Sequence, residues 1–137
     1  MQITRQTEYA IRILLELATL PPGQVISSKV IAQRQDIPED FLKKIVQQLV
    51  ISGMVSTQRG TQGGVRLVAD IEQVTIADVM AAIEGPLGIN PCLLPGYSCE
   101  NMPQCPIRPV LARAQAAFLN ELRKETLADL LKKKVTG

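Results

Sequence analysis

Histidine and tryptophan are both absent from the 137 residues, and there are only two tyrosines and two phenylalanines. The lack of histidine removes the commonest acid–base side chain and the commonest imidazole metal ligand. No G-x-S-x-G, P-loop or dinucleotide fingerprint occurs either, so an enzyme is not expected. With few aromatics, the core must come from Leu, Ile, Val and Ala, which favours helices. No apolar run approaches the ~20 residues of a membrane span. The opening M-Q-I-T-R-Q-T-E lacks a charged-then-apolar signal pattern, so a cytoplasmic protein with no membrane partner is expected. Three cysteines cannot all pair internally, and a reducing cytoplasm disfavours a structural disulfide.

Apolar residues make up 46% of the chain, enough for one globular domain or a small domain plus an arm. The net charge of +2 is uninformative, but its distribution is not. Residues 1–69 carry eight Lys/Arg against five Asp/Glu, whereas residues 70–137 carry seven against eight. From Phe41 to Arg66 there are four basic residues (Lys43, Lys44, Arg59 and Arg66) and no acidic one. A local basic patch on a near-neutral chain fits a nucleic-acid contact. It equally fits an ordinary solvated face.

Periodicity places the elements. Ala10, Ile13, Leu14, Leu17 and Ala18 recur at helical spacing, which predicts a helix from Thr4 to Thr19, ended by Pro21-Pro22-Gly23. Ser27 or Ser28 caps a short helix from Lys29 to Gln35. After a turn at Asp36-Ile37, Pro38 suits the first position of a third helix reaching Ser52, with Gly53 as its C-terminal cap. Met54–Gln58 and Val65–Val68 read as strands around the glycine-rich turn R-G-T-Q-G-G. A helix-turn-helix followed by a hairpin is a winged helix. There the third helix enters the major groove and the wing reaches the minor groove.

Thr75 caps a further helix through Ile76, Val79, Met80 and Ile83, stopped by Gly85-Pro86. A long helix is expected from Pro109 to Lys124, with Leu111, Ala114, Phe118 and Leu122 on one face and Val110 and Ala117 beside it. A lone helix with an apolar face needs a partner, and a second copy is the simplest one. Thr126 caps a last helix from Leu127 to Lys133, whose basic end, Lys132 to Lys134, complements the helix dipole. The fold class is therefore mainly α with a small β-hairpin wing: a winged helix-turn-helix plus a long C-terminal dimerisation helix. Residues 1–85 form the DNA-binding unit, 86–108 a cysteine loop, and 109–137 the dimerisation and C-terminal helices.

That loop holds all three cysteines, Cys92, Cys99 and Cys105, spaced C-x(6)-C-x(5)-C. Five of the nine prolines lie between Asn90 and Pro109, which disfavours both helix and ladder strand. Three thiols within fourteen residues, and none elsewhere, suit a ligand set. An iron–sulfur cluster, zinc held by three Cys and a carboxylate, and redox-active thiols without metal are the competing readings. The C-x-x-C spacing of thiol–disulfide enzymes is missing.

Several stretches resemble the Rrf-two family of winged-helix transcription regulators, which includes IscR-, NsrR- and RirA-type proteins. T-R-Q-T-E-Y-A-I-R-I-L-L-E-L-A looks like the family's first helix. R-G-T-Q-G-G-V-R-L, Arg59 to Leu67, is similar to its wing signature, with Val65 where an aromatic is common. T-I-A-D-V-M-A-A-I-E-G looks like the helix before the cluster loop, and the cysteines fall where iron–sulfur members carry theirs. The resemblance covers nearly the whole chain. It implies a homodimer on a near-palindromic double-stranded DNA site, and in many members a cluster whose state changes DNA affinity.

It also implies roles for single residues. IscR-type members supply a His three residues after the last cysteine, where this chain has Arg108, so that ligand set is excluded. NsrR-type members are thought to take a carboxylate from the first helix of the other subunit, and the matching residue is Glu8. The implied cofactor ligands are Cys92, Cys99, Cys105 and Glu8, around a 4Fe-4S cluster with 2Fe-2S as the alternative. The first cysteine spacing, one residue longer than the commoner C-x(5)-C, leaves the subfamily open. Glu39, Asp40, Lys43 and Lys44 are the implied base-facing positions of the third helix, and IscR-type members carry Glu where Lys43 stands. Arg59 matches the wing arginine, which suits a narrow minor groove. Ser28, Lys29, Thr57 and Arg66 are the expected phosphate contacts. The implied function is a DNA-binding regulator, read as a repressor, that senses nitric oxide, iron or cluster supply, or redox state.

Overall fold

The computed structural model describes residues 3–136, with side chains through residue 133. Met1, Gln2, Gly137 and the side chain of Lys134 lie outside the described residues. The elements run α1 (Arg5–Ala18), α2 (Ser28–Gln35), α3 (Glu39–Ile51), β1 (Val55–Gln58), β2 (Gly64–Leu67), α4 (Ile76–Glu84), α5 (Arg108–Leu122) and α6 (Leu127–Thr136). Two single-turn 3-10 helices, Pro91–Leu93 and Met102–Gln104, punctuate the cysteine loop. Among the described residues, no helix is long and apolar enough to cross a membrane.

One core unites every α-helix except α5. Ala10, Ile13, Leu14 and Leu17 of α1 meet Ile31 of α2, Leu42, Ile45 and Leu49 of α3, and Val79 and Ile83 of α4. Leu127 of α6 joins the same cluster, fully buried. Its N–H donates to Val74 O at 2.8 Å and that of Ala128 to Ile71 O at 3.0 Å, so the last helix folds back beside α1. Caps explain the boundaries. Thr4, Ser27, Thr75 and Thr126 each accept a backbone N–H at a helix start, and Asp78 and Asp129 complete capping boxes with the last two.

Pro38 differs from the sequence expectation of a first helical residue. Its ψ of 133° is extended, so it stands before α3 as N-cap instead of opening the helix. It offers no side-chain bond, and Glu39 and Asp40 then place two carboxylates in the first turn, where the helix dipole favours them.

β1 and β2 pair antiparallel, with Ser56 opposite Arg66 and Thr57 opposite Val65. An isolated bridge between Ile26 and Val65 adds a third backbone segment. A Cβ on Gly64 would lie 2.1 Å from Ile26 O, so only glycine permits that approach. The wing is therefore stitched to the segment leading into α2. β1 begins at Val55 because the carbonyl of Met54 instead receives the N–H groups of both Val68 and Ala69 at 3.0 Å.

α5 differs from every other helix. None of its residues is buried; Val110 is 53% exposed and Phe118 37%, with Ile107 at 62% just before it. It begins one residue earlier and ends two earlier than the sequence predicts, closed by Arg123 N–H to the carbonyls of Leu119 and Asn120.

Candidate nucleic-acid interface and cysteine loop

The turn between α2 and α3 is made by Asp36, whose φ of 52° and ψ of 51° are left-handed. Ile37 N–H returns to Ala32 O at 2.9 Å and closes the turn. α3 then buries Leu42, Ile45, Val46 and Leu49 and turns Glu39, Asp40, Lys43 and Lys44 to solvent. These four lie on one face at helical spacing, as the sequence predicts, with Gln47 one turn further on. Lys29 on α2 is exposed and Ser28 beside it half-buried. Arg59 sits exposed at the end of β1, where the glycine-rich turn leaves the sheet. Among the described residues, Lys43, Lys44 and Arg59 are in no ion pair, so their charges are not neutralised from within.

The hairpin separates two of the expected phosphate contacts. Thr57 shares a face with Val65 and lies beside Val46, Gln47, Val50 and Ile51 at the end of α3. Arg66 is on the other face, where its Nε donates to Ser56 Oγ at 3.3 Å. Exposed basic side chains thus stand on α2 (Lys29), α3 (Lys43 and Lys44) and the wing (Arg59 and Arg66), the elements by which a winged helix meets a groove and its flanking phosphates.

The cysteine loop is fixed at both ends. Ile89 N–H donates to Gln115 Oε1 at 2.8 Å, joining the loop entrance to α5. Arg108 Nε donates to Cys92 O at 3.4 Å. Asn90 Nδ2 donates to Cys92 Sγ at 3.2 Å. All three thiols are free; Cys92 and Cys105 are half-buried and Cys99 is exposed. Arg108, three residues after the last cysteine, thus braces the loop backbone. The sequence reading missed Asn90 and Gln115 because neither belongs to a motif; an amide two residues from a cysteine was the one available signal.

Glu8 projects from the first turn of α1 with its side chain 64% exposed, and Arg12 Nη1 lies 4.0 Å from its Oε1. Among the described residues no three Cys, Asp or Glu side chains converge to hold a metal ion. One chain therefore brings the cysteines into one loop but not to one point, and it does not bring Glu8 to them. In donor chemistry the set fits an iron–sulfur centre: three unpaired thiols, a donor N–H on one sulfur, and one exposed carboxylate.

The family model for Rrf2, described as an iron-dependent transcriptional regulator, matches residues 3–133. The chain belongs to the Rrf2 family. A transcriptional regulator from Listeria innocua is 33% identical, with 96% of this chain and 87% of that chain covered and a TM-score of 0.76. CymR (YrzC), the global cysteine regulator of B. subtilis, is 28% identical over 97% of this chain and 98% of its own, with a TM-score of 0.77. IscR of T. potens is 25% identical over 98% and 88%, with a TM-score of 0.72. The protein is thus a winged-helix transcription regulator of the Rrf2 family, whose members bind DNA and are not enzymes.

Proposed function

We propose that this chain is a cytoplasmic homodimeric repressor whose affinity for a near-palindromic operator is set by an iron–sulfur cluster on Cys92, Cys99 and Cys105. Glu8 of the second copy supplies the fourth ligand. The carrying observation is the set of three free thiols on one braced loop, one of them receiving the Asn90 amide. Hydrogen bonds to sulfur and solvent exposure are the levers that tune such centres. Bound there, a 4Fe-4S cluster with one oxygen ligand would supply an iron open to nitric oxide, to oxygen or to loss. A 2Fe-2S centre is the alternative nuclearity.

The residues of the chain do the rest. Lys43 and Lys44 face bases, with Glu39 and Asp40 at the start of the same helix face. Arg59 enters the minor groove, and Ser28, Lys29, Thr57 and Arg66 meet phosphates. The exposed face of α5, with Val110 and Phe118, packs against its copy. In the dimer the loop lies against the partner's first helix, so the loop's state sets the spacing of two recognition helices.

A second reading has its own support. Cys99 is exposed, the thiols do not converge within one chain, and one similar protein is a cysteine regulator. A metal-free regulator controlled by thiol chemistry or by a partner would follow from it.

Protein purified without oxygen separates these. The expected result is a visible band near 400–420 nm and about four iron and four acid-labile sulfide per chain. About two of each would indicate 2Fe-2S. A colourless protein after reconstitution refutes the cluster and leaves zinc or bare thiols. Operator affinity should fall steeply between ~50 and ~200 mM salt, and a flat profile refutes the basic face as a DNA surface.

A further inference from the structure

One carboxyl group joins the cysteine loop to the DNA-binding unit. Glu84 is the last residue of α4, and Gly85, at φ 77°, turns the chain from it toward the loop. Its Oε1 accepts the hydroxyl of Thr7 at 2.8 Å and also that of Thr4. Thr7 is fully buried, and Thr4 is the N-cap of α1, accepting Thr7 N–H at 3.4 Å. The first turn of α1 is therefore closed by a group from another helix.

That turn carries three consecutive residues with different directions. Thr7 points inward to Glu84. Glu8 points to solvent. Tyr9 packs edge-on against Phe41 of α3, with ring centroids 5.7 Å apart. Phe41 stands in the first part of the recognition helix, two residues before Lys43. On the far side of Glu84, the loop entrance is fixed to α5 through Ile89 and Gln115. Hydrogen bonds, short chain segments and one ring contact thus lead from the loop, through Glu84, to the recognition helix.

We propose that Glu84 is a positioning residue: its clamp on Thr4 and Thr7 fixes the first turn of α1 and passes the state of the cysteine loop to α3. The proposal rests on the loop-controlled reading above. Spatial continuity does not demonstrate coupling, so the test measures coupling directly. Operator affinity is measured in the cluster-loaded and cluster-free forms of the wild type, Thr7→Val, Glu84→Ala, Glu84→Gln and the Thr7→Val/Glu84→Ala pair. Wild type is expected to differ between forms by ~5- to 150-fold. In Thr7→Val and Glu84→Ala that ratio should drop toward one, and the pair should lose no more than Glu84→Ala alone, because Glu84→Ala already removes the bond that Thr7→Val removes. Glu84→Gln keeps a carbonyl acceptor and should retain most of the ratio.

Thr7→Val preserves shape in the buried position, so it reports even if Glu84→Ala unfolds. A second readout needs no cluster. Amide exchange at residues 7–9 of the cluster-free protein should speed up in Thr7→Val and Glu84→Ala, while exchange in α6 stays unchanged. Variants that keep the wild-type ratio, or unchanged exchange at residues 7–9, overturn the clamp alone. A wild type whose affinity ignores the loop's state overturns the loop-controlled reading and the clamp with it.

Discussion

Replacing Gly64 by Ala should detach the wing from the segment that enters α2. The added Cβ would lie 2.1 Å from Ile26 O, 2.5 Å from Ile26 C and 2.8 Å from Ser27 Cα. These are backbone atoms and cannot rotate away, so the two segments must separate by roughly 1 Å to restore ordinary contact. Both bridge bonds, Ile26 N–H to Val65 O at 3.0 Å and Val65 N–H to Ile26 O at 2.8 Å, are then lost. Each contributes about 0.5–1.5 kcal/mol net, and partial burial of the freed groups raises the total to about 2–4 kcal/mol. At roughly 4 °C per kcal/mol for a domain of this size, the melting midpoint should fall by about 8–16 °C. Ser27 caps α2 through Val30 N–H at 3.2 Å, so the helix-turn-helix is disturbed along with the wing. Thermal melts of Gly64→Ala beside Thr61→Ala, at the exposed wing tip, read the effect. A Gly64→Ala midpoint within about 2 °C of the Thr61→Ala control would refute the claim that this close approach holds the wing.

The left-handed turn at Asp36 gives a second test: Asp36→Val should lose about 1–2 kcal/mol in urea titration, whereas Asp36→Gly should match or slightly exceed wild type. Asp129 gives a third, because hydrogen bonds from the Thr126 backbone N–H and hydroxyl hold its carboxyl below the ordinary Asp range. A lowered folded value contributes stability above the unfolded value and loses it as pH falls through the folded value. Asp129→Asn should therefore melt lower than wild type at neutral pH, and the two should converge in acid; a constant difference across the titration would show that the cap is not electrostatic.

Most of the fold is legible because short-range chemistry decides it. Helical spacing of Ile13, Leu14 and Leu17 and the Thr and Ser caps each act within one turn, so the pattern contains its own answer. Gly53, at φ 81°, ends α3 for the same local reason. The misreading at Pro38 came from a preference that two adjacent positions share: proline suits both the N-cap's extended ψ and the first helical φ, and the ψ of 133° chose the former. The return of α6 to the core, through Leu127 and the Thr126–Thr75 bridge, depends on tertiary partners some fifty residues away, and no local spacing encodes it.

The site was legible only as a list of groups, and the reason is physical. A cluster needs its donors at one point, while sequence spacing fixes only how far apart they can be. Within one chain the three thiols share a loop without converging, Glu8 extends into solvent from another helix, and α5 leaves Val110 and Phe118 exposed. These three features share a single explanation in the proposed dimer. A second copy against α5 would cover the apolar face, and the same pairing is what Glu8 requires to reach the loop of the other chain. The features are then coupled, and the coupling has a consequence. Substituting Phe118 by a charged residue, far from any thiol, should weaken both the dimer and the cluster. Retention of a full cluster by a monomeric Phe118→Glu protein, read by sedimentation and iron content, would separate the two and place all the ligands within one chain.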